Sequence, residues 1–166
     1  MKKLITLSDT HKNQILLRKV LSNEENLTHI FHLGDFYEDL DNNFNLTHDK
    51  EIVKIPGIFH PKYLDKTLPA IQSANISGWN FLLVHNIEDL KDIPDSTDFI
   101  LYGHTHQHSF EKRNKLYFLN PGHLKKKIGK NRKASYVVMN IAPSQVEIFF
   151  KYLDGSVFHS EKINRN

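Results

Sequence analysis

Phe99-Ile100-Leu101-Tyr102-Gly103-His104-Thr105-His106 sets the pattern by which the whole chain is read. A short apolar run, the mark of a buried strand, breaks into a glycine and two histidines two residues apart. Three other runs end in the same way. Leu4–Leu7 leads into Ser8-Asp9-Thr10-His11, Ile30–Leu33 into Gly34-Asp35, and Phe81–Val84 into His85-Asn86. In open α/β sheets, sites form just beyond the carboxyl ends of the strands. Four such ends here carry six side chains able to bind metal: Asp9, His11, Asp35, His85, His104 and His106. Residues two apart in an extended segment point to one side, which would turn Asp9 with His11, and His104 with His106, toward a common centre. Gly103 removes a side chain where the backbone must pass closely, and Gly34 gives Asp35 similar freedom. Six ligands exceed the three of a typical open zinc site. A two-metal centre, with ions about 3.5–4 Å apart and one bridging carboxylate, matches the inventory better.

Composition narrows the chemistry further. The 166 residues suit one domain, 1–166, with one substantial core, and are too few for an eight-fold β/α barrel of about 250. The absence of cysteine excludes disulfides, thiolate zinc sites, iron–sulfur clusters and a cysteine nucleophile. Any metal must therefore be held by histidine and carboxylate, and there are eleven histidines. The formal charge of +3 is misleading, because Lys125–Lys133 holds six bases and no acid. Without those six, 16 Lys+Arg remain against 19 Asp+Glu, so the body of the chain is mildly acidic. Such a run reads first as a solvated flexible loop and second as an anion-attracting lip near a phosphate site. Nucleic acid is not an expected partner, since no aromatic residues are interleaved with these bases. Met1–Leu7 resembles the start of a signal peptide, but Asp9, His11 and Lys12 cut the apolar run short. No stretch of about 18 apolar residues could span a membrane. A cytoplasmic protein is the expectation.

Strand, helix and strand follow one another at the front: Leu4–Leu7, a helix over Asn13–Leu21 with Ile15, Leu16, Lys19 and Val20 at helical spacing, then His29–Leu33, with a further run at Ile52–Ile55. Pro56–Pro69 reads as an irregular loop, and Asp41–Thr47 as surface loop or a short helix. The back of the chain reads as antiparallel β. Ile71–Ile76 and Trp79–Val84 flank the turn Ser77-Gly78, and a second hairpin closes at Arg113-Asn114. Ser135–Ile141, Gln145–Tyr152 and Val157–Lys162 finish as a meander. Two sheets packed face to face, with helices outside, satisfy this pattern.

The motifs resemble those of the calcineurin-like metallophosphoesterases, in particular the small single-domain branch with bacterial and archaeal phosphodiesterases. That family's blocks appear in order as Asp9-x-His11, Gly34-Asp35, an altered third block, His85, and Gly103-His104-Thr105-His106, with Asn120-Pro121-Gly122 beyond them. The resemblance implies a fold: a four-layer α/β/β/α sandwich of two mixed β-sheets flanked by helices. It also implies roles. Asp9, His11 and His106 would hold one divalent ion, His85 and His104 a second, and Asp35 would bridge them. A hydroxide between the ions would attack a small phosphodiester or phosphate ester. Manganese is the expected ion, with iron, cobalt, nickel or zinc open to the same donors. A homo-oligomer is compatible with the resemblance.

One block departs from the family. The third block normally supplies an asparagine ligand, and here Ile55-Pro56-Gly57-Ile58-Phe59-His60 puts Ile58 at that position. Phe59 stands where some relatives carry an acid-catalytic histidine, which favours diesters over monoesters as substrates. His60 is the candidate replacement, either at the vacant ligand position or at the leaving-group oxygen, against a plain solvent-facing loop histidine. The gap leaves a second class open, a non-catalytic scaffold like the retromer subunit of this branch. Among the other histidines, His32 reads as structural and His123 as a supporting partner of the site or a surface residue. His29, His48, His108 and His159 read as surface positions. His104-Thr105-His106-Gln107-His108 alone could suit a metal carrier, which leaves Asp9, His11, Asp35 and His85 unexplained.

Overall fold

β1 (Lys2–Leu7), α1 (Gln14–Ser22), β2 (His29–His32) and β3 (Glu51–Lys54) build the expected front, with β1, β2 and β3 parallel. The computed structural model describes residues 1–166 except Phe59, Lys130 and Asn166. A 3-10 turn over Tyr37–Asn43 and α2 (Phe44–Thr47) fill the path from β2 to β3. After β3 the chain forms α3 (Pro61–Leu64), a single turn inside the proline-rich segment that reads as loop. Its start follows from Pro61 at the first helical position, where the missing N–H costs nothing.

The remaining strands are β4 (Ile71–Ile76), β5 (Trp79–Val84), β6 (Phe99–Tyr102), β7 (Ser109–Arg113), β8 (Leu116–Asn120), β9 (Ile128–Gly129), β10 (Arg132–Lys133), β11 (Ser135–Ala142), β12 (Gln145–Tyr152) and β13 (Val157–Asn164). One mixed sheet runs β13-β12-β11-β1-β2-β3, and a second runs β4-β5-β6-β8-β7. The back is therefore not wholly antiparallel, because β5, β6 and β8 are parallel neighbours. The meander β11–β13 also joins the front by pairing with β1. The second hairpin turns at Asn114-Lys115, one residue later than the sequence pattern suggests, with Asn114 in the left-handed region that this turn needs.

Alternation along the strands divides the apolar residues between cores. Leu4, Phe31, Phe81, Leu83, Phe99, Leu101, Val137 and Met139 meet between the sheets. Their neighbours Ile5, Ile30, Tyr136 and Val138 face the other way, under α1. That helix buries Leu16, Leu17, Val20 and Leu21 and leaves Ile15 80% exposed, so the apolar stripe lies one step round from the face that included Ile15. Asn13 caps it, accepting from Leu16 N at 3.1 Å. On the far face of the second sheet Leu82, Val84, Ile100 and Phe118 are covered by Ile87 and Leu90, around the 3-10 turn Ile87–Asp89. The layered plan is the expected one, and its fourth layer is slight. Among the described residues, no helix is long and apolar enough to cross a membrane.

Candidate metal centre

Both sheets deliver polar loops to one end. Ser8–Lys12 follows β1 and Gly34-Asp35 follows β2 in the first sheet, while His85 follows β5 and Gly103–His106 follows β6 in the second. Hydrogen bonds tie these ends together: Asp9 N donates to Gly34 O at 3.0 Å, and Gly103 N to His85 O at 3.0 Å. Two more cross between sheets. His85 Nδ1 lies 2.6 Å from Leu33 O, and His104 N donates to Asp9 Oδ2 at 3.2 Å. A Cβ on Gly103 would press on Ser8 Oγ and come within 3.0 Å of Asp9 Oδ2, so this close approach requires glycine.

Asp9, His11, Asp35 and His106 converge, with one ligand-type atom from each lying within 4.8 Å of all the others. His106 Nε2 is 3.0 Å from Asp9 Oδ1, and His11 Nε2 is 3.4 Å from Asp35 Oδ2. His85 adjoins the group through Asp35, with Nε2 3.5 Å from Oδ1, and the His104 ring lies against His85 with centroids 5.4 Å apart. The segments are not extended as the two-residue spacing suggests. Asp9, His11, Asp35, His104 and His106 all adopt positive φ, between 46° and 64°. Side chains in that conformation are strained, and strain of this kind concentrates at functional sites.

The donor set fits a divalent cation. Asp9 Oδ1, His11 Nε2 and His85 Nε2 are buried and have no hydrogen-bond partner. Because Nδ1 of His85 must carry the proton that Leu33 O accepts, its Nε2 presents a bare lone pair toward a carboxylate oxygen. Orphaned polar atoms of this kind cost about 1–3 kcal/mol each, and a shared cation satisfies them together. Burial works to raise the Asp9 carboxyl, but His106, His85 and the Ser8 hydroxyl outweigh it and hold Asp9 below its ordinary value. Burial, helped by the Lys125 charge, holds the His11 imidazole below its own, against the pull of Asp35 and Asp9. Nitrogen and oxygen donors that are ionised or neutral in this way are ready to bind metal.

A polar chain behind the group fixes it. Gly34 N donates to His32 Nδ1 at 3.3 Å, which leaves His32 Nε2 protonated and 3.2 Å from Thr10 Oγ1. Thr10 in turn donates to Asp39 Oδ2 at 2.7 Å. Asp39 also accepts from Lys12 N at 2.8 Å and Gln14 Nε2 at 2.8 Å, and so anchors the loop between Asp9 and α1. Burial pushes His32 down to about 3, so it is neutral and structural, as its place inside β2 suggests. Asn120 donates to Gly103 O at 2.7 Å and to Thr105 Oγ1 at 3.1 Å, steadying the other loop. Sequence reading misses Thr10 and Asp39. Asp39 lies in a 3-10 turn with no periodic signal, nearly thirty positions from the Thr10 it holds.

His60 is not brought into the group. Its Nε2 pairs with Glu38, its Nδ1 accepts from Lys62 N at 3.1 Å as the cap of α3, and its ring rests on Tyr37 with centroids 5.3 Å apart. It lines a cavity beside Asp35, and Ile58 sits in the turn before it. Phe59, and the loss of a proton donor read there, lie outside the described residues. His29 is a correction: it is buried, held by Thr28 Oγ1 at 2.7 Å and 3.4 Å from Glu51. His123 is buried as well, with its ring 5.4 Å from that of His106 and Nδ1 unpartnered, so it belongs behind the site and not on the surface.

The basic run is more ordered than a free loop. β9 and β10 pair within it, Leu124 N donates to Ser8 O at 3.2 Å, and Asn13 Nδ2 donates to Lys125 O at 2.9 Å. Arg132 Nη1 donates to Thr105 O at 2.6 Å, between the two histidines of that loop. The run thus forms a basic lip on the His11 and His106 side of the group.

The family model for the calcineurin-like phosphoesterase superfamily domain matches residues 1–144. A curated phosphodiesterase of Methanocaldococcus jannaschii is 26% identical over 137 residues, which cover 72% of this chain and 82% of the relative. A predicted phosphoesterase of Streptococcus pneumoniae superposes with a TM-score of 0.72 at 22% identity, over 99% of this chain and 98% of that one. Vacuolar Protein Sorting 29 of Cryptosporidium parvum does so with a TM-score of 0.74 at 19% identity, again over 99% and 98%. At these identities the structural likeness speaks to the fold.

Proposed function

Since this chain belongs to the calcineurin-like phosphoesterase superfamily, we propose that it is a metal-dependent phosphodiesterase acting as one domain. In this reading Asp9, His11 and His106 would hold one divalent ion, His85 and His104 would hold a second, and Asp35 would serve both. The observation that carries it is the set of buried, unpartnered ligand atoms on Asp9, His11 and His85, turned toward one another across Asp35. Bound there, divalent ions would supply a water of lowered pKa as nucleophile and positive charge for the phosphoryl oxygens. Manganese is the first ion to try.

The chain's own groups have distinct tasks. Ser8 Oγ donates to Asp9 Oδ2 at 2.6 Å, which leaves Oδ1 facing the group. Leu33 O fixes the His85 tautomer, and Asp39 holds the turn that carries His11 through Thr10 and Lys12. Lys125, pinned beside His11, and Arg132, pinned on Thr105, supply a positive rim that draws a phosphate ester toward the group. His60, oriented by Glu38 in the adjoining cavity, is the candidate to protonate a leaving group there. Ile58 adds no ligand, so the second ion binds more weakly than the first.

Hydrolysis of bis-p-nitrophenyl phosphate with added manganese, comparing the wild type with Asp35→Asn, tests the reading. Turnover in the wild type and its loss in the variant is the expected result. Equal background in both, with no bound metal by elemental analysis, would overturn it. That outcome would favour an interaction protein, the second reading that Ile58 and the likeness to Vacuolar Protein Sorting 29 keep in view.

A further inference from the structure

A cavity of about 670 Å³ opens directly beside Asp35, and it lies within the usual size range of small-molecule sites. Phe36, Gly57, His60 and Pro61 form much of its wall, with Lys12 and Asn42 at the edge, and its surface is chiefly apolar. Three carboxylates, Asp35, Glu38 and Asp39, and two lysines, Lys12 and Lys62, line it. Glu38 is turned onto His60, and the oxygens of Asp39 accept from Thr10, Lys12 N and Gln14, so neither carboxylate is left free to face an ester arm. A phosphodiester whose phosphorus sits at the Asp35 group has one ester arm facing this space.

Phe36 is the feature that folding alone does not explain. It takes up a left-handed backbone, φ 68° and ψ 46°, which a residue with a bulky side chain enters only under constraint. Its ring is not repaid with burial: the residue is 38% exposed, at the junction of the cavity and the group. Its ring centroid is 5.6 Å from that of His11. Lys12 Nζ lies 5.0 Å from the ring centroid, so a face of the ring is presented to an electropositive partner at the mouth. A planar ring arriving there takes over the face that the flexible lysine now covers.

We propose that the cavity is a subsite for a planar aromatic group on the substrate, of nucleobase type, and that Phe36 is its stacking platform. This rests on the phosphodiesterase reading and narrows it to nucleotide-like esters. The phosphate lies at the Asp35 group, the base stacks on Phe36, and Asn42 offers an amide to the ring edge.

The test compares two ligands that differ only in the base, adenosine 5′-monophosphate and ribose 5-phosphate, by calorimetric binding to the manganese-loaded protein. The wild type should bind the nucleotide about tenfold more tightly, the scale of one base on one aromatic ring. Phe36→Ala should reduce that ratio to about twofold or less, and Phe36→Trp should keep it. A ratio near one in the wild type, or one that survives Phe36→Ala, overturns the proposal. Octyl phosphate binding more tightly than the nucleotide also overturns it, since the cavity would then serve an alkyl arm. Manganese-dependent turnover of bis-p-nitrophenyl phosphate by the wild type is measured alongside. Its absence sinks the phosphodiesterase reading, whereas its presence with no base preference sinks only the subsite.

Discussion

Gly57→Ala displaces Asp35 while leaving every proposed ligand chemically unchanged. Gly57 packs against Asp35 so closely that an added Cβ would stand 2.7 Å from its backbone nitrogen and 2.9 Å from its Cγ, and nearer still to Oδ1. Real Cβ atoms essentially never come within 3.0 Å of another heavy atom, so the carboxylate must swing away by about 1 Å. Asp35 Oδ2 now stands 3.4 Å from His11 Nε2, and Oδ1 stands 3.5 Å from His85 Nε2, so a shift of that size breaks both approaches. A misplacement of about 1 Å in a catalytic group costs roughly a hundredfold in rate. Overpacking of this kind costs about 1–3 kcal/mol of stability, a fall in Tm of about 2–4 °C per kcal/mol at this chain length. Gly155→Ala is the control. Unlike Gly57, Gly155 has positive φ, at 85°, and the nearest atom to an added Cβ is Asn23 Nδ2 at 3.9 Å, in the turn between β12 and β13. It should lose about 1–2 kcal/mol by backbone strain and keep its turnover. The assay is kcat/KM on bis-p-nitrophenyl phosphate at saturating manganese, with Tm from circular dichroism. Gly57→Ala within threefold of wild type would refute the claim that the Asp35 position governs the reaction.

Asp39→Ala leaves Thr10, Lys12 N and Gln14 without their shared acceptor, and calorimetry should find manganese bound about 10–100-fold more weakly. For the metal-free protein, stability should fall with acid through His32. Its folded pKa of about 3 lies below the ordinary 6.5, so its contribution is complete above pH 6.5 and is lost as pH falls toward 3, by about 4–5 kcal/mol at most. Chemical denaturation at several pH values should show that slope in the wild type and a flatter one in His32→Gln. Ile58→Asn restores an amide at the position where the family carries its ligand. Manganese titration should then show a tighter second equivalent; an unchanged isotherm would mean that this position does not reach the site.

The strand ends carrying Asp9, Asp35, His85 and His104 are legible because each follows an apolar run long enough for one strand, with Ser8, Gly34 and Gly103 marking where three of the runs stop and His85 itself ending the fourth. The strand–helix–strand order at the front is legible for the same reason. What escapes the sequence is set by contacts between distant segments. The left-handed backbone at the ligands depends on the loops being held from outside, by Asp39 through Thr10 and by Asn120 through Gly103. Nothing local to Thr10 announces a carboxylate in a 3-10 turn beyond β2. The orientation of His60 depends on Glu38, which no spacing links to it. His29 opens a strand, where an imidazole reads as a surface group, and it becomes buried because β3 runs alongside it and brings up Glu51. Parallel pairing of β5, β6 and β8 is hidden because hairpin signals accompany it on both sides, at Ser77-Gly78 and at Arg113-Asn114.

Anomalous diffraction from crystals of this protein soaked in manganese chloride tests the central claim most directly. The account predicts a strong peak among Asp9, His11, Asp35 and His106, and a weaker one beside His85 and His104 that shares Asp35. A map without a peak in that space, from crystals whose wild-type protein is folded and ordered there, would contradict it.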